Sequence, residues 1–247
     1  MNKRFVLSIG FPNYIKDKTG MSKVILANQK MYNDNDVSYV HLFAVKKLIL
    51  HDKVTLFSYF GVIIDGNTEG IYTPEQVISK CRKWFDEGHE LLDIHIHHFL
   101  YMVPAKIDAV LCAFNNTRIN VYLHDYYLAC TEYTLLKNKK EYCGGKGLSI
   151  QNCQGCQKYS ESLKMETHIH QILKKHIDQI TFISPSETTK QIFERFHPEY
   201  KGKILVMPHQ RYILGRLDNR DVLSDKDTVK VAFTAMPRIH KGWLTWE

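Results

Sequence analysis

The sequence predicts an α/β fold built on a doubly wound parallel sheet. Short apolar runs rich in β-branched residues recur along the chain. Most are continuous rather than alternating, as strands buried on both faces require. Stretches with helical spacing lie between them, and strand alternating with helix gives a parallel sheet with crossover helices.

In order, strands are expected over 5–9, 37–43, 54–59, 91–97, 119–123, 180–183 and 204–207. Helices are expected over 22–31, 74–87, 105–114, 161–177 and 185–196. The helix at 185 carries a start signal in Ser184-Pro185-Ser186-Glu187: Ser184 as N-cap, Pro185 at the first position, Glu187 closing a capping box. In 161–177 the stripe of Leu163, Ile169, Ile172, Leu173 and Ile177 is roughly helical, and His168, His170 and His176 fall mostly off it. Those three are expected at the solvated surface. Cys81 and Cys112 sit within helical patterns and are expected in the core.

The 247 residues, 44% hydrophobic and 24% charged, suffice for one large core or about two smaller ones. No run approaches the ~18 apolar residues of a membrane span. Only Phe5 to Ile9 is apolar near the N-terminus, too short for a signal peptide, so the chain is expected in the cytoplasm. A reducing compartment favours free or metal-bound thiols over disulfides. The net charge of +7 is compatible with nucleic acid, an anionic membrane surface or a phosphorylated substrate. No Lys/Arg block exceeds a few residues; Lys137, Lys139, Lys140 and Lys146 make one loop locally basic.

Four places carry chemistry. Thr19-Gly20-Met21-Ser22 follows the first strand and opens a helix, where free N–H groups favour anions. It lacks the three glycines of a dinucleotide fingerprint, and a plain Gly/Ser turn explains it equally well. Ile94-His95-Ile96-His97-His98 closes the fourth strand. His95 and His97 share a face and His98 takes the other. His97 or His98 can reach a cleft, while His95 is expected to be buried. His124-Asp125 ends the fifth strand. The imidazole can donate to a sugar hydroxyl or phosphate, and Asp125 can orient it, accept a hydroxyl or cap the next turn. Cys130, Cys143, Cys153 and Cys156 follow with the spacing C-x12-C-x9-C-x2-C. That set suits a closed four-thiolate zinc site or an iron–sulfur cluster, and free thiols in a loop remain the alternative.

From Arg211 to Asp227 the chain is polar and aperiodic, a linker pattern. A fresh strand, VKVAFT, follows from Val229. Residues 1–209 are thus expected to form one domain, 210–227 a linker, and 228–247 the start of a second, truncated domain.

Taken in order, these motifs resemble the N-terminal half of a GT-B-fold retaining glycosyltransferase of the group 1, or family 4, kind. The resemblance rests on the turn at Gly20 and Ser22, IHIHH, LHDYYLACTEYTLL with YCGG and CQGC, FISPSETTKQIFERFHP, and the passage into VAFTAMPRIHKGW. It implies a Rossmann-like acceptor-side domain, with a UDP- or GDP-sugar as donor, a glycan or lipid-linked acceptor and no catalytic metal. It also implies that Gly20 lies near the donor phosphates, with His97 or His98 and His124 lining the cleft. Lys241 would contact phosphate, assisted by Arg238, although Arg238 stands closer to Lys241 than the family's interval. Peripheral contact with the inner face of a membrane fits such an acceptor, and nucleic acid is not expected. The family's donor domain, with its Glu-bearing motif, is missing, so the chain is expected to be inactive alone. The competing expectation is a non-enzymatic binding module whose zinc-stapled basic loop contacts nucleic acid or anionic membrane.

Overall fold

The first strand, β1 (Arg4–Gly10), explains the layering. Phe5, Leu7 and Ile9 point into one apolar cluster and Val6 into another, all fully buried. A strand with both faces covered needs helices on both sides, and its sequence is accordingly apolar at nearly every position. The computed structural model describes residues 1–45, 49–50, 53–54, 59–208, 239–241 and 243.

After β1 come α1 (Gly20–Asn33), β2 (Val37–Ala44), the small pair β3 (Ile49–Leu50) and β4 (Lys53–Val54), then β5 (Phe60–Ile64), β6 (Asn67–Tyr72) and α2 (Pro74–Asp86). The chain continues through β7 (Glu90–Ile96), α3 (Pro104–Ala113), β8 (Arg118–Tyr122), the short β9 (Leu136–Lys137) and β10 (Glu141–Tyr142), and α4 (Tyr159–Met165). It ends its described core with α5 (Gln171–Lys175), β11 (Ile180–Ser184), α6 (Glu187–Phe196) and β12 (Ile204–Val206). Eight strands form one mixed, mostly parallel sheet in the order β12-β11-β8-β7-β1-β2-β5-β6. Met21 and Ile25 of α1 cover the face of Val6, Val37 and Tyr39. Val77 and Cys81 of α2 and Ile107, Val110 and Leu111 of α3 cover the other.

The expected parallel order holds from β12 to β2. Beyond it the structure differs. β2 pairs antiparallel with β5, and β5 with β6, through a hairpin whose corner is Asp65-Gly66. Both corner residues have positive φ, 49° and 88°. This Asp-Gly pair is the usual two-residue hairpin signal, and glycine tolerates the left-handed conformation that the second position requires. Of the strand expected at 54–59, residues 55–58 lie outside the described residues. So do Arg211 to Asp227 and the strand at Val229.

Three further expectations are corrected. Helix α6 is capped by Ser186, whose side chain accepts from the Thr189 N–H at 3.2 Å. Ser184 cannot cap it, because it is still paired in β11 and its carbonyl accepts from Met207 N–H at 2.8 Å. The helix expected over 161–177 is interrupted by a π-helical turn, Glu166–His170, between α4 and α5. One extra residue in a turn rotates the following face by about 100°. Leu163, before the turn, is exposed, while from the turn onward His170 and His176 are buried along with Ile169, Ile172 and Leu173; His168 is exposed as expected. Cys81 is buried in the core, but Cys112 is exposed.

Candidate functional site

Chain order reverses at β1. From it the chain goes to β2 on one side, then returns through β5, β6 and α2 to β7 on the other. The carboxyl ends of strands beside such a reversal form the ligand crevice of open α/β sheets. His97 and His98 are the first residues beyond β7, and His124 and Asp125 lie just beyond β8, so the topology delivers them to this edge. The backbone holds them there: His97 N–H donates to Ile9 O at 2.7 Å and Leu123 N–H to Ile183 O at 2.9 Å. Gly10 permits the fit, since a Cβ there would stand 3.2 Å from His97 Cβ.

A chain of polar contacts runs along the edge. Tyr39 Oη lies 3.2 Å from His97 Nε2, and His97 Nδ1 lies 2.9 Å from His124 Nε2. If the tyrosine donates, His97 must donate from Nδ1 to His124 Nε2. His124 then carries its proton on Nδ1. Tyr122 stacks on His97 with ring centroids 4.4 Å apart, and His97 on His124 at 5.2 Å. Burial raises the Tyr39 pKa well above its ordinary value, keeping it a phenol that can donate.

His98 faces the other way and partners Asp125. Its Nδ1 accepts from Leu100 N–H at 2.9 Å, which in the neutral ring puts the proton on Nε2, 3.5 Å from Asp125 Oδ2. Asp125 Oδ1 accepts from Tyr127 N–H at 2.8 Å, the local turn that the sequence allows for. Burial alone raises the Asp125 pKa. The His98 hydrogen bond, the attraction of the His98 imidazole when protonated, the Tyr127 N–H and the attraction of a protonated His124 outweigh it and hold the carboxyl below its ordinary value. The group is therefore an ionised acceptor at neutral pH. A cavity of about 10 Å³ separates these side chains from Val121 and Leu128, enough for about one water and no substrate. Ligand must approach from outside the edge. A depression of about 570 Å³ lies at the opposite ends of β8, β11 and β12.

The other expected residues divide. Gly20 begins α1, exposed, with open space where a side chain would go. Ser22 is buried, its hydroxyl 2.9 Å from that of the N-cap Thr19, so its side chain serves the helix cap. Lys241 is exposed in a 3₁₀ turn, Ile239–Lys241, and Arg238 lies outside the described residues. His95 is buried as expected; burial lowers its pKa to about 4, with Asp93 opposing and Arg118 adding to the fall. Cys130, Cys143, Cys153 and Cys156 line one cavity of about 20 Å³.

Tyr39 and Tyr122 were not singled out by sequence. Tyr122 has a local signal, sitting two residues before His124 on the same side of an extended chain. Tyr39 reaches His97 from two strands away, and its sequence carries no such signal. Two polar clusters also emerge among the described residues, each with ligand atoms within 4.8 Å of one another: Asp108, Cys112 and His176, and Glu166, His170 and His197.

Comparison with protein-family models, curated proteins and solved structures gives no match to this chain.

Proposed function

We propose that this chain is the acceptor-side domain of a retaining glycosyltransferase of GT-B architecture. It would work with a UDP- or GDP-sugar and a glycan or lipid-linked acceptor of polysaccharide biosynthesis. The observation that carries the reading is the convergence of His97, His98, His124 and Asp125 at the sheet's carboxyl edge beside the chain reversal. That convergence adds to the ordered motifs that resemble the family. His124, supported by His97, donates a hydrogen bond to a sugar hydroxyl or a phosphate oxygen. Asp125, ionised, accepts from a hydroxyl. By resemblance, the N-terminus of α1 at Gly20 faces the donor phosphates, and Lys241 and Arg238 offset charge on the departing diphosphate. No catalytic metal is invoked. Peripheral contact with a membrane would serve a lipid-linked acceptor. The binding-module alternative is favoured only by the exposure of Lys139 and Lys140 on the basic loop.

The test is nucleotide release from a panel of UDP- and GDP-sugars by the longest natural polypeptide that contains this chain. Turnover is expected with at least one donor, falling ~10²-fold or more in His124→Ala. A panel without turnover, or a variant with undiminished rate, refutes the reading.

A further inference from the structure

The stretch from Asp125 to Lys158 leaves the sheet and has little regular structure to hold it. Its only strands among the described residues are β9 and β10, two residues each. Leu135, Asn138 and Lys139 sit in the left-handed region, at φ 56°, 52° and 62°. Such conformations each cost about 1 kcal/mol or more and persist only where surroundings impose them. Leu128 and Ala129 anchor its start in the main core, and a small apolar cluster docks the remainder on α6: Cys130, Leu135 and Ile192, with Cys143 and Phe196 beside them.

Within this irregular stretch, four cysteines separated by twelve, nine and two residues come to one place. Cys130, Cys143, Cys153 and Cys156 all border the same cavity of about 20 Å³, closed by Leu135 and Phe196. That volume suits one water-sized body. Cys153 and Cys156 flank a tight turn closed by Cys156 N–H to Cys153 O at 2.9 Å. Lys137 and Lys146 border the cavity too, as does Glu132, whose carboxylate accepts from the Thr134 hydroxyl at 2.6 Å. Convergence from scattered positions is what distinguishes a ligand set from incidental thiols, and none of the four is in a disulfide.

We propose that Cys130, Cys143, Cys153 and Cys156 bind one structural zinc ion, which staples residues 125–158 onto α6. Thiolate sulfur suits zinc, and four such ligands close its tetrahedral shell, so the ion takes no part in chemistry. The site would carry a charge of about −2, comparable to the charge of the two lysines, with Glu132 adding one further negative charge. Zn–S bonds of ≈2.3 Å imply sulfur–sulfur edges of about 3.8 Å. Binding requires the four sulfurs to take up that spacing around the cavity.

The two tighter polar clusters are less suited to a metal. Beside Asp108 and Cys112 the Lys175 ammonium already sits 2.9 Å from the carboxylate and 3.0 Å from the sulfur. His170 and His197 both direct Nε2 at Leu128 O, at 2.8 and 3.0 Å, which places N–H groups rather than lone pairs toward the centre. The zinc proposal is independent of the glycosyltransferase reading, because a closed site staples the loop whatever the sheet edge binds.

The experiment is metal analysis of the whole chain, purified in reducing, chelator-free buffer and supplied with zinc. About one zinc per chain is expected. It should be lost in Cys153→Ser/Cys156→Ser and kept in Cys112→Ser, which removes a thiol outside the site. Zinc absent from the unaltered chain, or retained by the double variant, overturns the proposal, as does iron with a visible cluster chromophore. Should the double variant fail to fold, cobalt(II) on the unaltered chain decides. Strong thiolate charge-transfer and tetrahedral d–d bands support the site, and a spectrum of hydrated cobalt overturns it.

Discussion

At the carboxyl edge of the sheet, His97 and His124 lie within two residues of the ends of β7 and β8 and inherit their positions from parallel pairing. Across 125–158, by contrast, two strands of two residues each are all the regular pairing described. The edge needs no local device, because each polar group is placed by a buried strand and answered by a neighbour. Beyond Ala129 the cysteine-bearing stretch has left-handed turns, one small apolar cluster and four thiols around one cavity. A sheet edge thus fixes a site through global topology, whereas an excursion from it is held by side-chain contacts of its own.

Acid should act on both regions and produce the largest effect. Burial lowers the pKa of His41 and His95 at the sheet to about 4. Beneath the excursion, where both rings bond Leu128 O, burial lowers His170 to about 3 and His197 to about 4. Each folded pKa lies below the unfolded value of about 6.5, so the unfolded chain binds more protons between the two. Stability from these four rings is therefore complete above about pH 6.5. It declines as pH falls toward 4, by up to about 1.4 kcal/mol per pH unit for each ring. Urea midpoints measured from pH 7 to 4.5 should fall steadily, and a flat profile would mean that the rings protonate within the fold.

Gly147→Ala should separate the two regions. A Cβ at Gly147 would stand 2.9 Å from Arg195 O, and its φ of 96° disfavours any side chain. A loss of about 1–3 kcal/mol is expected, with faster amide exchange across residues 136–156 and little change in β1, β7 and β8. Equal acceleration throughout would show that excursion and sheet open as one unit, which breaks the comparison. The smallest effect is expected at the edge itself. Thr19→Ala removes the acceptor for the Ser22 N–H, at 3.1 Å, and should cost about 1 kcal/mol in thermal denaturation, with Thr19→Ser close to neutral.

Much of the sheet could be read directly. Continuous apolar runs gave β1, β2, β7, β8, β11 and β12 nearly to the residue, because strands covered on both faces are apolar at most positions. The β5–β6 hairpin was legible too, in Asp65-Gly66, but its polar second strand hid it from a search for apolar runs. The polar groups were harder. His170 looked solvated by its spacing, yet a π-helical turn carries it inward to Leu128 O. Cys112 looked like core but lies at the surface, bonded to Lys175. For His170, periodicity assumes an uninterrupted helix and the π-helical turn breaks it; Cys112 lies in the regular helix α3, on its exposed side.

By itself the sequence determined the α/β class, the parallel core and the presence of His97, His98, His124 and Asp125 at strand ends. Those are consequences of local pattern: period, apolar runs and the residue where each run stops. Only the tertiary structure decided that Tyr39 reaches His97, that His97 meets His124, and that cysteines 130, 143, 153 and 156 surround one cavity. Such contacts join residues far apart in the chain. They depend on strand order, register and the docking of an irregular loop, none of which a local pattern encodes.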